Sequence, residues 1–269
     1  MLQTIGLLFS VLIMPVLIFI YCLSSYKRAL SMASDAWWMR LGFGRAFLHF
    51  TLTRLPANSI DKAMQAEGRA ASQDMEATPP PMGGVAFVGS STFTYWRHLH
   101  SDMAAKGVSI PCFNAAFGGS WTKHVLQFAD ELCFKHKPRA VVYFCGTNDL
   151  NTGQPPSVAA QGFIAFHRAL LAALPSTPIV YVAPTATPYV AWRRESHRFF
   201  EASRLVRRYV ETLQSGSVLV VDPNQSPVFT DIGMYLGDQH HLNDEGHRQL
   251  AALLAPALAS LNADAPDTQ

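Results

Sequence analysis

Three short polar motifs, far apart along the chain, carry residue types that together can cleave an ester. They are Gly89-Ser90-Ser91, Gly146-Thr147-Asn148-Asp149 and Asp238-Gln239-His240-His241. A serine hydroxyl can attack a carbonyl carbon, an asparagine amide can donate to the resulting oxyanion, and an imidazole held by a carboxylate can accept the serine proton. Asp238 lies three residues before His241, and in a tight turn it can reach the Nδ1–H of that imidazole. The motifs therefore predict nucleophilic acyl chemistry.

The motifs follow apolar runs that alternate with helical stretches. The runs are continuous and rich in Val, Ile, Tyr and Phe, and they cover residues 85–88, 110–113, 140–145, 179–182 and 218–221. Continuous runs are typical of strands that are covered on both faces, and their alternation with helices indicates a parallel sheet. We therefore predict an α/β fold, a three-layer α/β/α sandwich with a five-stranded parallel sheet in flavodoxin-like order. In such sheets the ligand site lies beyond the carboxyl ends of the strands.

The helices are predicted at residues 92–106, 122–136, 157–174, 191–214 and about 244–261. Ser91 then lies at a strand-to-helix turn, where its N–H and the helix dipole favour negative charge. The alternative is that Ser90 and Ser91 only cap the helix, since serine is a common N-cap residue. For Asn148 the alternative to an oxyanion donor is an Asx-turn that closes its loop.

A backbone N–H in the glycine-containing segment 114–120, after the second run, could be another oxyanion donor, because glycine lets the backbone approach a ligand closely. Without the other motifs, the preferred interpretation of this segment would be a simple strand-to-helix turn. A metal site is the competing interpretation of the C-terminal motif, because its surroundings are rich in ligand types: Asp238, His240, His241, Asp244 and His247. These residues match none of the known zinc spacings, so we predict no metal. His240 is interpreted as a pocket-wall or structural residue rather than the base.

Taken in order, the motifs resemble the four sequence blocks of the SGNH (GDSL-type) hydrolase family, over about residues 84–261. The resemblance implies a triad of Ser91, His241 and Asp238. It also implies an oxyanion hole formed by Ser91, Gly118 and Asn148, with no metal or organic cofactor. The sequence departs from the family signature at Ser90, where the family has Asp, and this position bears on how the nucleophile turn is braced.

The resemblance implies a serine esterase that transfers an acyl group to water in two steps. One alternative is an O-acyltransferase of the same fold that acts on an envelope glycan or lipid. A second alternative is a catalytically inert, membrane-tethered binding module. The observation behind it is that Ser90 stands where the family has Asp. The acyl and alcohol parts of the substrate are left open, since short-chain, acetyl-sugar and lysolipid esters all fit the sequence.

The N-terminal segment is apolar enough to cross a membrane. Residues 2–26 contain no charged side chain, and residues 5–23 are almost continuously apolar. A membrane-spanning helix needs roughly 20 such residues. A cleaved signal peptide is the alternative, but the segment lacks an early Lys or Arg, is longer than a signal core and has no clear cleavage site. We predict an uncleaved transmembrane anchor over residues 1–26.

Basic residues follow the predicted anchor at Lys27, Arg28, Arg40 and Arg45. By the positive-inside rule they place the catalytic domain in the cytoplasm, with a periplasmic or extracellular location as the alternative. The four cysteines do not form a disulfide framework by their spacing, and a net charge of +2 is too small to suggest nucleic acid. The expected partners are a membrane and a small-molecule, lipid or glycan ester, and the sequence leaves protein partners open.

Residues 27–82 are predicted to be a juxtamembrane helical segment and a linker, residues 83–262 the hydrolase domain, and residues 263–269 a flexible tail. Aromatic and arginine residues between positions 36 and 55 suit either a helix in the lipid headgroup region or a helix packed on the main domain. Residues 61–76 are compatible with a polar helix. Three prolines at positions 79–81 indicate an extended linker, and we place the domain boundary there.

The loop at residues 184–192 is predicted to line the substrate pocket, with Tyr189 and Trp192 as its walls. The next predicted helix is rich in arginine, and these side chains could bind lipid phosphates. They are Arg193, Arg194, Arg198, Arg204, Arg207 and Arg208. The alternative is a solvated helix face with an apolar face turned inward, formed by Phe199, Val206, Tyr209 and Leu213. The amphipathic pattern favours this second interpretation.

Overall fold

The computed structural model describes residues 57–213 and 216–263, which form a parallel sheet covered by helices on both faces. The sheet has five strands in the order β2-β1-β3-β4-β5, and every pair of neighbours is parallel. The strands are β1 (Val85–Gly89), β2 (Cys112–Asn114), β3 (Ala140–Phe144), β4 (Ile179–Val182) and β5 (Val218–Val221). The predicted fold class and the flavodoxin-like strand order are confirmed.

Ten α-helices lie in the described residues: α1 (Ala57–Ala77), α2 (Ser91–Thr94), α3 (Leu99–Ala104), α4 (Thr122–Gln127), α5 (Ala129–Leu132), α6 (Thr147–Asn151), α7 (Pro156–Ala173), α8 (Pro188–Trp192), α9 (Ser196–Leu213) and α10 (Asp244–Ala263). Single turns of 3-10 helix occur at Phe134–His136, Pro223–Gln225, Pro227–Thr230 and Ile232–Met234. Helices α7 and α10 agree with the predicted segments to within two residues.

Three predicted helices are wrong as continuous elements, because each is divided by a tertiary contact or a turn. The segment 92–106 forms α2 and α3, and Trp96 between them packs its ring against Phe87 at 5.8 Å. The segment 122–136 divides at Phe128, whose ring lies so close to α1 that a Cβ on Gly68 would be 2.3 Å from it. The segment 191–214 divides before α9, where Arg194 adopts a left-handed conformation with φ 58°.

The hydrophobic core consists of two main layers, one on each face of the sheet, because successive residues of a strand point to opposite faces. Ala86 and Val88 of β1 belong to the layer covered by α1, α4, α5, α7 and α9. Val85 and Phe87 of the same strand belong to the layer covered by α2, α3 and α10. Burial on both faces explains why the strands are continuous apolar runs.

Helix α1 packs on the first of these layers, although it precedes the predicted linker. Ile60 and Met64 are 2% and 1% exposed and belong to the same cluster as the sheet residues. The carboxylate of Asp61 lies 2.6 Å from the ammonium of Lys123 and 2.9 Å from Nε2 of His124. The helix predicted at residues 61–76 is therefore present, and the division of the chain into domains stays a prediction.

The predicted anchor at residues 1–26, the segment 36–55 and nearly all of the tail lie outside the described residues. Among the residues that are described, the model contains no helix with the length and apolar character needed to span a bilayer.

Candidate active site

Ser91, His241 and Asp238 form one hydrogen-bonded chain at the carboxyl edge of the sheet. The Oγ of Ser91 is 2.9 Å from Nε2 of His241, and Nδ1 of His241 is 2.6 Å from Oδ2 of Asp238. Because Nδ1–H donates to the carboxylate, Nε2 is the nitrogen that accepts from the serine hydroxyl. His241 and Asp238 are 7% and 2% exposed, so this chain is largely shielded from water.

Ser91 owes its position to the turn between β1 and α2. It is the first residue of α2 and follows Ser90, the N-cap residue, whose side chain makes no capping hydrogen bond. The carbonyl of Ser90 instead accepts from the backbone N–H groups of Phe93 at 3.0 Å and Thr94 at 3.1 Å. The interpretation of both serines as mere side-chain caps is therefore not supported at Ser90. The N–H of Ser91 points out of the first turn of the helix, where negative charge is favoured.

Asp238 organises the loop that carries His241. Its Oδ1 accepts from the backbone N–H groups of His240 at 2.9 Å and His241 at 3.0 Å, while Oδ2 accepts from the imidazole. Burial raises the pKa of Asp238, but the positive imidazole of His241 and these hydrogen bonds outweigh it, and the pKa is lowered overall. The intervening Gln239 adopts a left-handed conformation with φ 60°, which brings the carboxylate and the imidazole of this short loop together.

The predicted oxyanion donors Asn148 and Gly118 follow the carboxyl ends of two further strands, β3 and β2. Asn148 of α6 donates from Nδ2 to the carbonyl of Ser120 at 3.0 Å, so its amide is held against the loop that contains Gly118. The amide nitrogen carries a second hydrogen, which remains for a ligand. A Cβ on Gly118 would meet nothing within 4 Å, so its backbone faces open space. Asn148 thus contacts a neighbouring loop rather than closing an Asx-turn.

Asp149 fixes the helix that carries Asn148, and sequence reasoning missed this role. It is 1% exposed and accepts from Thr122, at 3.1 Å from the backbone N–H and 2.9 Å from the hydroxyl. These bonds tie α6 to α4. Burial raises the pKa of Asp149 to about 6, although the hydrogen bonds from Thr122 act in the opposite direction. A carboxylate immediately after the donor asparagine was the available signal.

The residues predicted to form the substrate pocket are arranged in layers behind His241. The ring of His240 is 5.1 Å from that of His241, and Tyr189 packs edge-on against His240 at 5.6 Å. Trp192 is 45% exposed and stacks on Tyr189 at 6.3 Å. That these aromatic residues contact substrate stays a prediction.

A small cavity of about 20 Å³ adjoins Ser91 and is lined by His240 and by four threonines to which the sequence analysis gave no role: Thr92, Thr147, Thr185 and Thr187. Tyr189 and Trp192 do not line it. The hydroxyl of Thr147 is buried without a protein partner in the described part of the chain.

The arginines after α8 do not form a single solvated helix face. Arg193 and Arg194 precede α9, and the side chain of Arg193 is only 5% exposed. Arg204 and Arg207 pair with Glu201 and Asp222, respectively. The inward face is as expected, since Phe199 and Val206 are fully buried. The predicted location of Arg193 on that helix is wrong, because the left-handed turn at Arg194 separates it from α9.

Two further aromatic contacts support the site and were missed. Tyr95 places its ring 4.7 Å from His241. His247 of α10 stacks on Trp96 at 5.2 Å, and its Nε2–H donates to the carbonyl of Thr92 at 2.9 Å, which braces the nucleophile helix.

Within residues 57–213 and 216–263, no group of three or more His, Cys, Asp or Glu side chains is arranged to hold a metal ion.

Solved structures share this fold. A GDSL-like lipase from Bacteroides thetaiotaomicron is 19% identical with a TM-score of 0.56, and the match covers 72% of this chain and 98% of that one. A lipase/acylhydrolase from Enterococcus faecalis is 18% identical with a TM-score of 0.56, and the match covers 70% and 100%. A carbohydrate esterase family 3 protein from Talaromyces cellulolyticus is 18% identical with a TM-score of 0.58, and the match covers 68% and 100%. A search of the curated proteins by sequence finds no match.

The parallel sheet, covered by helices on both faces, defines a three-layer α/β/α architecture with a candidate active site at its carboxyl edge. The chain belongs to the GDSL-like lipase/acylhydrolase family, whose model matches residues 84–249. It is accordingly a hydrolase that acts on ester bonds.

Proposed function

We propose that the protein is a serine esterase in which Ser91 is the nucleophile, His241 the general base and Asp238 the residue that orients the imidazole. The observation that carries this proposal is the continuous chain from the Oγ of Ser91 to Nε2 of His241 at 2.9 Å and from Nδ1 to Asp238 at 2.6 Å. A nucleophile, a base and an orienting carboxylate within hydrogen-bond distance are what acyl transfer through a serine requires.

In the first half of the reaction, His241 takes the hydroxyl proton of Ser91 as Oγ attacks the ester carbonyl carbon. The carbonyl oxygen becomes an oxyanion, for which the proposed donors are the N–H groups of Ser91 and Gly118 and the side chain of Asn148. Losing one such donor typically costs about 2.7–4 kcal/mol of transition-state stabilisation. The alcohol then leaves with the proton carried by Nε2 of His241, and an acyl ester of Ser91 remains.

In the second half, His241 removes a proton from water, and the hydroxide attacks the acyl ester of Ser91. The acid is released and the proton returns to Oγ. Asp238 stabilises the imidazolium that forms in each half, and its lowered pKa keeps it ionised for this task. The proposed steps use side chains and water alone, with no metal or organic cofactor.

Replacing the nucleophile tests the proposal. We expect Ser91→Ala to lower kcat on p-nitrophenyl esters by at least about 10⁴-fold, because no other group in the site forms the covalent intermediate. Full-length protein is assayed with acyl chains of two to twelve carbons, and a fluorophosphonate should label the wild type at Ser91. Ser260→Ala on the exposed side of α10 is the matched control and should keep wild-type kcat. Unchanged activity in Ser91→Ala would reject the assignment.

The same intermediate can pass its acyl group to a hydroxyl other than that of water, which is the reaction of an O-acyltransferase. The predicted membrane anchor favours this second candidate, because envelope glycans and lipids lie at the same surface. An assay with an ester donor and a sugar acceptor separates the two, since a hydrolase yields free acid whatever acceptor is present. A protein that neither hydrolyses nor transfers, and that fluorophosphonate does not label, would be an inert binding module.

We also propose that residues 1–26 anchor the protein in a membrane with the hydrolase domain in the cytoplasm. The support is the uncharged apolar run and the basic residues that follow it. Resistance of the full-length chain to carbonate extraction tests the anchor. Accessibility of the C-terminus to protease in intact cells and in lysed cells tests the orientation, and digestion in intact cells would place the domain outside.

A further inference from the structure

His240 places a second imidazole directly beside the base, and the proposed mechanism does not use it. Its ring is 5.1 Å from that of His241, and both of its ring nitrogens have protein partners. Nδ1 lies 3.1 Å from the hydroxyl oxygen of Thr187, and Nε2 lies 3.4 Å from Nδ2 of Asn151. Two neighbouring imidazoles can compete for the same proton, so the protonation state of His240 matters for the base.

Arg193 decides which way the amide of Asn151 points. Its Nη1 donates to Oδ1 of Asn151 at 3.0 Å, and its Nη2 lies 3.4 Å from the backbone carbonyl of the same residue. A guanidinium has donors and no acceptor, so the side-chain atom that faces Arg193 must be the oxygen. The NH₂ group of Asn151 is thereby directed at His240.

The orientation of Asn151 in turn fixes the proton on His240. Nε2 faces an amide N–H donor and must accept, so it carries no proton, and the proton of the neutral ring lies on Nδ1. Nδ1–H then donates to the hydroxyl of Thr187. An imidazolium would carry hydrogens on both nitrogens, and its Nε2–H would point at the hydrogens of the Asn151 amide. The contacts therefore accommodate the neutral ring and oppose the charged one.

The surroundings of His240 lower its pKa to about 3. Burial is the largest cause, the neighbouring His241 and Arg193 act in the same direction, and Asp238 opposes them. Tyr189 packs against the ring as a neutral group, because burial raises the pKa of its phenol.

Burying Arg193 is costly unless the charge is paired, and its Nη2 lies 2.7 Å from Oε2 of Glu195. The guanidinium also lies over the ring of Tyr189, with Cζ 5.4 Å from the ring centroid. A buried charge that is held by an ion pair and an aromatic face is fixed in place, so it can impose one orientation on Asn151.

We propose that Arg193 and Asn151 are positioning residues that hold His240 as the neutral Nδ1–H tautomer, so that His241 alone of the two imidazoles takes a proton. The inference rests on the proposed function, in which His241 becomes an imidazolium in each half-reaction. A second cation at the distance of His240 would oppose that step on the order of a hundredfold, by Coulomb repulsion at an effective dielectric constant near 20.

Asn151→Asp tests the inference with little change in shape. A carboxylate still accepts the hydrogen bond from Arg193, and it can also accept from Nε2–H, so it lets His240 become charged. We expect kcat/KM of the variant at pH 6, relative to pH 8.5, to fall about tenfold further than in the wild type, since the new carboxylate offsets part of the repulsion. The double variant Asn151→Asp, His240→Gln has no second imidazole that can become charged. Its kcat/KM at pH 6, relative to pH 8.5, should therefore show none of this additional fall.

The tautomer is measured independently of activity, by nitrogen NMR of the full-length chain labelled with ¹⁵N-histidine. The His240 signals are assigned by their loss in His240→Gln. A neutral ring with Nδ1–H from pH 5 to pH 8 in the wild type, which titrates in Asn151→Asp, supports the inference. An Nε2–H tautomer or an imidazolium at pH 6 in the wild type overturns it, as does an Asn151→Asp pH profile that superimposes on the wild type.

The NMR arm also separates this inference from the proposed function. If the wild type shows no hydrolysis that depends on Ser91, the esterase proposal fails, while the ring of His240 still reports whether Arg193 and Asn151 set its tautomer. If Asn151→Asp does not fold, the wild-type spectra alone decide, because the inference requires one tautomer and no titration above pH 5.

Discussion

The turn that carries Ser91 and the loop that carries His241 meet in one hydrogen bond, yet they are held in place by different kinds of contact. Backbone contacts hold the nucleophile turn, with the side-chain hydrogen bond from His247 to the carbonyl of Thr92 beside them. The carbonyl of Ser90 accepts two helix N–H groups, and β1 runs so close to β3 that a Cβ on Gly89 would lie 2.0 Å from the carbonyl oxygen of Phe144.

The histidine loop, residues 235–242, is held largely by side chains. One carboxylate, Asp238, accepts from two backbone N–H groups and from the imidazole. Asn243 adds an amide that donates to the carbonyl of Gly233 at 2.7 Å. Backbone bonds accompany them, among them Leu236 N–H to the carbonyl of His241 at 2.7 Å and Gln239 N–H to the carbonyl of Leu236 at 2.9 Å.

The difference teaches what each region tolerates. Backbone hydrogen bonds form whatever the side chain, so the nucleophile turn should resist changes of charge and fail when volume is added. A loop that depends on a carboxylate should tolerate small changes of volume and fail when the charge or its acceptors are lost. Three substitutions probe this comparison.

The largest effect is expected from Asp238→Asn in the histidine loop. The amide keeps an oxygen for the backbone N–H groups, but it favours the wrong tautomer of His241 and gives no charge to stabilise the imidazolium. We expect kcat on p-nitrophenyl acetate to fall by about 10⁴-fold. A variant within tenfold of wild-type kcat would show that Asp238 only shapes the loop.

Gly89→Ala should break the nucleophile turn through volume alone. The added methyl group would overlap the carbonyl oxygen of Phe144, so the two central strands must move apart. We expect the free energy of unfolding in urea to fall by about 3 kcal/mol, the upper range for overpacking a core. Gly118→Ala is the matched control, because its Cβ meets nothing within 4 Å, and it should unfold at the wild-type urea concentration. Equal midpoints for the two variants would contradict the comparison.

Asp149→Asn sharpens the comparison by removing a buried charge from α6, the helix that follows β3 and carries Asn148. The folded pKa of about 6 lies above the unfolded value of 3.8, so wild-type stability contributed by this group falls as pH rises from about 4 to 6 and is level above pH 7. Relative to the variant, the wild type should gain about 1 kcal/mol between pH 7 and pH 5, measured by urea unfolding. A difference that stays constant with pH would mean that Asp149 is already neutral, or freely hydrated, at pH 7.

Much of the fold is readable from the sequence because its strands are buried on both faces. Each of the five strands of the described residues lies within two residues of its predicted apolar run, and only β2 includes a polar residue, Asn114. The polar motifs could be assigned to strand ends for the same reason. Polar residues reappear in the sequence where a buried strand ends. The pairing of Asp238 with His241 was also predictable from their spacing, because both residues belong to one short loop.

Other features depend on contacts between distant segments, which leave no local signal. Asn151 and His240 are 89 positions apart, and Arg193 lies between them in sequence. An arginine in a polar, amphipathic segment indicates a solvated face, and only the left-handed turn at Arg194 directs Arg193 inward. The packing of α1 on the sheet was likewise hidden, because a polar helix before three prolines is typical of a linker.

The sequence by itself determined the sheet, its order and the residues that could form the nucleophile, the base and the oxyanion donors, because burial pattern and residue chemistry are local properties. The tertiary structure decided that Ser91 and His241, 150 residues apart, lie at 2.9 Å. It also decided that His240 lies between Thr187, Asn151 and Tyr189. Hydrogen bonds are short-ranged and directional, so their partners are defined only once the chain has packed.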